Sequence, residues 1–179
     1  MTRRRRSLAV AADQERFEEL FFHYYPRVRG FLARRLPQGD LDDVLAETFL
    51  VVWRRLDDLP PDGPPRTGWM LETARLTMLN HLRSHRRRDA LRVRLAASEA
   101  PAPIDTSADG RVDGSLTEDL EAAFDSLAPD DQLILSLVAW DRCSTEELAE
   151  VLGCTPGAAR TRLSRARSRF RARLGDGRP

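Results

Sequence analysis

One stretch of the sequence cannot contribute to a packed core, and it divides the chain in two. Residues 97–115, ASEAPAPIDTSADGRVDGS, are rich in Ala, Pro, Ser, Asp and Gly and contain almost no large apolar side chain. Such a segment cannot bury enough apolar surface to offset the entropy lost on ordering. We therefore predict a flexible linker here, between one domain at 13–96 and a smaller one at 116–175.

Both parts of the chain show apolar residues at helical spacing, and no alternating run is long enough to predict a strand. The segment PPDGPPRTG at 60–68, with four prolines, is predicted to be stiff and non-helical. The fold class is therefore all-α, with two small helical domains. The predicted helices are 13–36, 40–59, 67–95, 116–126, 130–140, 145–152 and 156–174.

The net charge of +1 conceals a strong separation of sign along the chain. Residues 1–96 carry +6, residues 97–150 carry −12 and residues 151–179 carry +7. Every basic side chain is arginine, whose forked guanidinium suits phosphates and base edges. Two basic blocks that flank an acidic one indicate either solvated helix faces or surfaces for nucleic acid.

Composition also excludes several classes of protein. No apolar run reaches 18 residues, so we expect no membrane insertion. The start, MTRRRRSLAVAADQERFEEL, has the basic opening of a signal peptide but too short an apolar stretch, which predicts a cytoplasmic protein. Cys143 and Cys154 are too few for a disulfide framework or a zinc quartet, and we interpret both as space-filling side chains.

The predicted helix DLDDVLAETFLVVWRRLDDL, residues 40–59, has one apolar edge more than a core needs. Ala46, Leu50 and Trp53 lie opposite the core stripe, bordered by Asp43, Glu47 and Asp57. An exposed tryptophan and leucine with a rim of carboxylates fit docking against a basic partner helix. The alternative is that a neighbouring helix of the same domain covers this edge. The predicted core stripe is Leu41, Val44, Leu45, Thr48, Val51, Val52, Leu56 and Leu59.

The helix WMLETARLTMLNHLRSHRRR, residues 69–88, presents an outward face of unusual composition. Leu71, Ala74, Met78 and Leu82 form its predicted buried stripe. An aromatic, an amide and guanidinium groups on one face have the chemistry that stacks unpaired bases and neutralises phosphates. A solvated arginine face, with Trp69 packed on a neighbour, is the alternative. The outward residues are Trp69, Thr73, Leu76, Asn80, Arg83 and Arg87, widened by Arg86 and Arg88.

Within that helix, His81 and His85 stand four residues apart, the spacing that lets two imidazoles share one metal. No glutamate follows His81 directly, and the only other histidine, His23, is distant in sequence. We therefore expect no metal, no cofactor and no catalytic residue. A metal hydrolase built on His81 and His85 is the alternative, and it predicts bound zinc.

The segment TEELAEVLGCTPGAARTRLSRARSRF predicts a helix, a tight turn and a second helix. Gly153 ends the first helix, while Thr155 caps the second and Pro156 begins it. Small outward residues let this second helix enter a major groove, and arginines on both flanks reach the phosphates. Arg165 is the best candidate to contact a base edge. The inward residues are Ala159, Leu163, Ala166 and Phe170; the outward ones are Gly157, Ala158, Thr161, Ser164, Arg165 and Ser168; the flanks are Arg160, Arg167 and Arg171, and Arg162, Arg169 and Arg173.

These motifs in this order resemble the extracytoplasmic-function sigma factors of the bacterial sigma-70 family. FEELFFHYYPRVRGFLARRL resembles region 2.1, DLDDVLAETFLVVWRRLDDL region 2.2, and GWMLETARLTMLNHLRSHRRR regions 2.3 and 2.4. The segment from LEAAFDSL to SRFRARL resembles region 4. The resemblance covers the chain except for its ends and the linker. It implies a transcription initiation factor without enzymatic activity, with a stand-alone helix-turn-helix regulator as the alternative.

The resemblance also implies partners and roles for particular residues. Core RNA polymerase would be bound through the β′ clamp helices and the β subunit, and an anti-sigma factor would cover the Trp53 edge or wedge between the domains. Ala46 stands where the family often has Gln, Leu76 where Asn is common, and Asn80 where Asp is frequent. The implied sites are Asp43, Ala46, Glu47, Leu50 and Trp53 for polymerase; Trp69, Thr73, Leu76, Asn80, Arg83, Arg86 and Arg87 for the minus 10 promoter element; and Arg160, Thr161, Ser164, Arg165 and Arg167 for the minus 35 element.

Overall fold

The computed structural model describes the backbone of residues 2–95 and 114–176, and side-chain environments within 11–88 and 118–175. Every regular element of these residues is helical, which confirms the all-α prediction. A short 3-10 turn, Leu56–Asp58, follows the second helix. The helices are α1 (Thr2–Ala33), α2 (Gln38–Arg54), α3 (Pro64–Leu95), α4 (Gly114–Asp125), α5 (Pro129–Ala139), α6 (Thr145–Val151) and α7 (Pro156–Asp176).

Two helices begin at least three residues earlier than the sequence predicts. Helix α1 starts at Thr2 instead of residue 13, because arginine, leucine and alanine all favour a helix and nothing in this stretch breaks one. Helix α3 starts at Pro64, so residues 64–68 are helical and the prediction of a non-helical segment there is wrong. Pro64 and Pro65 occupy the first turn, where a missing backbone N–H costs nothing. Gly63, with a φ of 99°, makes the turn that precedes them.

The described residues group into two compact units. One contains residues 2–61 and 70–95, and the other contains residues 114–176 together with 62–69. The predicted boundaries of the two domains, 13–96 and 116–175, stay predictions. The linker predicted at 97–115 lies outside the described residues except for its last two positions, where α4 begins. None of the described helices has the length and hydropathy of a membrane span.

The core of the first unit is formed by α1, α2 and α3. Phe31, Leu41 and Leu71 are completely buried, one from each helix, and each buried side chain of this size contributes about 1.5–3 kcal/mol to stability. Thr48 is also completely buried, and its hydroxyl donates a 2.7 Å hydrogen bond to the Val44 carbonyl. That bond explains how a polar side chain is accommodated in the stripe.

An aromatic cluster joins α1 to α2 in the same unit. Phe21 packs on Phe49 with ring centroids 4.7 Å apart, and Tyr25 and Phe17 contact Phe49 as well. The predicted core stripe is therefore wrong at three positions: Phe49 is buried, whereas Val51 and Leu59 are only half-buried. Because rings of α1 pack on Phe49, the buried face of α2 includes this residue.

In the second unit, α4, α5 and α6 each pack on α7. Leu137, Leu148 and Ala159 are completely buried at its centre. The ring of Phe124 on α4 packs edge-on against Trp140 at 5.4 Å and against Phe170 of α7 at 6.4 Å. Cys143 is buried and Cys154 is half-buried, so neither is a prominent surface thiol.

Candidate functional site

The side chains predicted to bind polymerase share one exposed face of α2. We call this face the α2 edge, and its members are Asp43, Ala46, Glu47, Leu50 and Trp53. Leu50 is 52% exposed and Trp53 is 40% exposed, although the opposite stripe of the helix is already buried. The α2 edge therefore combines an apolar centre with two exposed carboxylates at its margin.

Helix α1 covers the α2 edge only in part. The ring of Phe17 meets Trp53 edge-on, with centroids 5.2 Å apart, so one side of the indole is packed within its own unit. Leu50 and the rest of Trp53 stay exposed. Helix α1 therefore covers one part of this edge, and docking of a partner on the exposed part stays a prediction.

Helix α3 carries the residues predicted to meet the minus 10 element. Asn80, Arg83, Arg86 and Arg87 are exposed, and Leu76 is 47% exposed. Trp69 is half-buried. Arg83 donates a 3.3 Å hydrogen bond to the Asn80 side-chain oxygen one turn away, which links the amide to the basic end of the helix.

One member of this predicted face does not belong to it. Thr73 is buried, with 9% of its surface exposed, so the prediction that it points outward is wrong. Met70 and Thr77 are buried beside it, whereas Leu82 is only half-buried. The buried stripe of α3 is wider than the large apolar residues alone suggest, because small hydroxyl side chains contribute to it.

The two histidines of α3 meet a carboxylate that sequence analysis did not associate with them. Nε2 of His81 lies 3.3 Å, and Nε2 of His85 3.8 Å, from the same Asp40 oxygen in the first turn of α2. Asp40 is 41 residues before His81, on another helix, so no local spacing reveals the group. The expectation of no metal site rested on the lack of such a third ligand.

The helix-turn-helix predicted from α6 and α7 has the local geometry that its sequence indicates. Ser144 and Glu147 form a reciprocal capping box at the start of α6. Gly153 adopts a φ of 58° after α6, a conformation that a side chain disfavours. Thr155 then caps α7 by accepting a 3.3 Å hydrogen bond from the Ala158 N–H. These caps fix where the second helix begins.

Helix α7 buries a narrow stripe and exposes its polar sides. Ala159 and Ala166 are completely buried, while Leu163 and Phe170 are half-buried. Two of the outward side chains bond back to their own helix, Thr161 to the Gly157 carbonyl at 3.1 Å and Arg160 to the Pro156 carbonyl at 3.4 Å. All five residues predicted for the minus 35 element are exposed: Arg160, Thr161, Ser164, Arg165 and Arg167.

Arg169 has a different role from the other arginines of α7. The prediction that it lines a flank for phosphate contact is wrong, because its guanidinium donates two 2.5 Å hydrogen bonds to the buried carboxylate of Asp131 on α5. Those hydrogen bonds raise the pKa of Arg169 above its usual value. Arg169 therefore fixes α7 to α5 and leaves the remaining arginines to the surface.

Two family models match the chain, each over one of its two parts. The model described as "Sigma-70 region 2" matches residues 20–88, which include the α2 edge and the exposed face of α3. The model described as "Sigma-70, region 4" matches residues 117–170, which include the helix-turn-helix.

Curated relatives match along most of their own length. The RNA polymerase sigma factor CarQ of Myxococcus xanthus is 35% identical over 164 residues, which cover 91% of each chain. The ECF RNA polymerase sigma-E factor of Escherichia coli (strain K12) is 29% identical over 162 residues, covering 87% of this chain and 84% of that one.

Solved structures agree in fold. The protein CnrH, in complex with the cytosolic domain of CnrY, is similar with a TM-score of 0.57 and 26% identity, over 96% of both chains. The sigma factor RpoE of Bartonella quintana, in complex with the anti-sigma factor NepR, gives a TM-score of 0.55 at 22% identity, over 90% of this chain and 98% of that one. The chain therefore belongs to the extracytoplasmic-function group of the sigma-70 family and is a promoter-specific transcription initiation factor.

Proposed function

We propose that the chain binds core RNA polymerase through the α2 edge. The observation that carries this proposal is the exposure of Leu50 and Trp53 on a helix whose core stripe is already complete. Tryptophan is enriched among the residues that dominate binding near the centre of protein interfaces. Asp43 and Glu47 at the margin favour a basic partner surface, which fits the β′ clamp helices that the resemblance implies.

In the second unit, α7 would recognise the minus 35 element as duplex DNA. Its exposed centre consists of the small residues Thr161 and Ser164 and of Arg165, so the helix can approach the floor of a major groove. Arg160 and Arg167 lie beside this centre and would neutralise phosphates on the groove walls. Arg165 would read a base edge, since a guanidinium can donate two hydrogen bonds to guanine.

Helix α3 would hold the separated strands of the minus 10 element. Melting would be driven by binding free energy, because each base stacked on an aromatic side chain contributes about 1–3 kcal/mol. Trp69 offers such a ring, and Asn80 offers an amide for hydrogen bonds to a base edge. Arg83, Arg86 and Arg87 would hold the phosphates of the open strand.

An anti-sigma factor is a further partner within this proposal. Among the solved structures of similar fold, that of RpoE contains the anti-sigma factor NepR, and that of CnrH contains the cytosolic domain of CnrY. The α2 edge is an exposed apolar surface that such an inhibitor could cover in place of polymerase. Binding by the two partners would then be mutually exclusive.

Reconstitution with purified core polymerase tests the proposal against a stand-alone regulator. Promoters selected from a random library by the reconstituted holoenzyme should yield transcripts of defined start site, and core polymerase alone should yield none. The free chain should bind the same duplexes far more weakly than the holoenzyme does. Tight, sequence-specific binding by the free chain, with no transcript from the holoenzyme, would establish the stand-alone regulator instead.

A further inference from the structure

Three side chains with metal-binding atoms converge between the start of α2 and the middle of α3. One ligand atom each from Asp40, His81 and His85 lies within 4.8 Å of the other two. The two imidazole rings stand on successive turns of α3, with centroids 4.4 Å apart. Both Nε2 atoms approach a single Asp40 oxygen, at 3.3 and 3.8 Å.

Hydrogen bonding does not account for this arrangement. Nε2 of His81 is buried and has no hydrogen-bond partner among the described residues, since its approach to Asp40 is close but out of line. A cation bound by the two Nε2 atoms and the Asp40 oxygen would contact all three groups at once.

We propose that Asp40, His81 and His85 bind one divalent transition-metal ion, with Zn²⁺ as the best match. Imidazole nitrogen and carboxylate oxygen are both good zinc ligands, whereas Mg²⁺ and Ca²⁺ favour sets of oxygen atoms. Zinc bonds of about 2.0–2.2 Å place neighbouring ligands of a tetrahedral site about 3.3 Å apart. Asp40 and His81 already have that separation, and Nε2 of His85 lies about 0.5 Å farther from the same oxygen.

The surroundings suit a site that exchanges with solvent. The His81 side chain is nearly buried, whereas 42% of His85 and 26% of Asp40 are exposed, which leaves a path for the ion. Three protein ligands leave a fourth position for water. Neither the α2 edge nor the proposed minus 10 residues are among the ligands. The ion would therefore link α2 to α3 and stabilise the first unit without occupying the proposed DNA or polymerase surfaces.

Metal titration of the full chain tests the site. Tag-free protein, stripped with a chelator and dialysed, is titrated with ZnCl₂ by calorimetry and with CoCl₂ by visible absorption. We expect saturable binding of one ion per chain, a cobalt spectrum typical of low coordination number, and a rise in the thermal midpoint with Zn²⁺. Asp40→Asn, His81→Ala and His85→Ala should each weaken binding at least about tenfold.

Two matched variants control for adventitious binding. His23→Ala removes an exposed histidine on a different helix, α1, and Asp42→Asn removes an exposed carboxylate next to the site. Both variants should therefore bind the metal like wild type. Unchanged affinity in Asp40→Asn, with weaker binding only in the histidine variants, would overturn the three-ligand site. No saturable binding by the wild type would overturn it as well. Circular dichroism of each variant distinguishes lost ligands from lost folding.

Discussion

Arg169 on α7 holds the buried carboxylate of Asp131 on α5 through two parallel hydrogen bonds of 2.5 Å. Parallel bonds from a guanidinium fork are among the strongest polar contacts in proteins. Because α7 also carries the proposed minus 35 residues, this pair fixes the helix that would enter the groove. Its two partners differ in burial, and that difference predicts unequal effects of removing each one.

Removal of Arg169 should destabilise the second unit more than removal of Asp131. Arg169→Ala leaves a buried carboxylate without its cation, whereas Asp131→Ala leaves an arginine that is half exposed and can be solvated. Thermal unfolding of both variants measures the order, with Arg171→Ala as an exposed arginine control on the same helix. A lower thermal midpoint for Asp131→Ala than for Arg169→Ala would contradict this assignment.

The turn of the helix-turn-helix should be sensitive to a side chain at one glycine. Gly153 has a φ of 58°, so Gly153→Ala should cost about 1 kcal/mol of unfolding free energy although space for a methyl group exists. Gly157→Ala, within α7 and equally unobstructed, should instead leave stability unchanged or raise it by up to about 1 kcal/mol. Urea unfolding of both variants checks the pair, and equal effects would refute the argument.

Two arginines of α7 should differ in how they affect DNA binding. Arg165→Ala should cost the holoenzyme about 1–3 kcal/mol on its selected minus 35 element and relax preference at one base pair. Arg167→Ala should weaken binding to all sequences alike and lower the salt dependence by about one phosphate contact. Binding to a set of single-base variants at several salt concentrations separates the two. If Arg167→Ala lost the base preference instead, Arg167 and not Arg165 would be the residue that reads a base.

Leu76 and Asn80 should set the base preference of α3. Leu76→Asn and Asn80→Asp each introduce a residue that is common in the family. Both side chains are exposed, so the fold should tolerate the changes. We expect holoenzymes with these variants to rank minus 10 sequences differently while start sites stay unchanged. Transcription from a promoter library randomised at minus 10 provides the measurement. An identical ranking for wild type and both variants would exclude these residues from base selection.

Features specified by neighbouring residues were predictable from the sequence. The turn at Gly153 and the cap at Thr155 are local signals, and α6 and α7 end and begin where those signals place them. The α2 edge could be predicted too, because a helix that repeats every 3.6 residues separates Leu50 and Trp53 from the core stripe.

Features that depend on contacts between helices could not be predicted in this way. Arg169 meets Asp131 across 38 residues, and His81 meets Asp40 across 41, so no spacing within one helix indicates either pair. The burial of Thr73 likewise depends on what packs against α3, since a threonine is compatible with either face. The start of α3 at Pro64 was missed because proline breaks a helix interior but not a first turn.

Affinity for core RNA polymerase is the most direct test of the α2 edge. Leu50→Ala removes an exposed side chain with little effect on the core, and Leu120→Ala on α4 is a control of similar exposure. We predict that Leu50→Ala binds core polymerase about tenfold more weakly or worse, that Trp53→Ala loses at least as much, and that Leu120→Ala binds like wild type. Wild-type affinity in both Leu50→Ala and Trp53→Ala would contradict the proposal that this edge docks on polymerase.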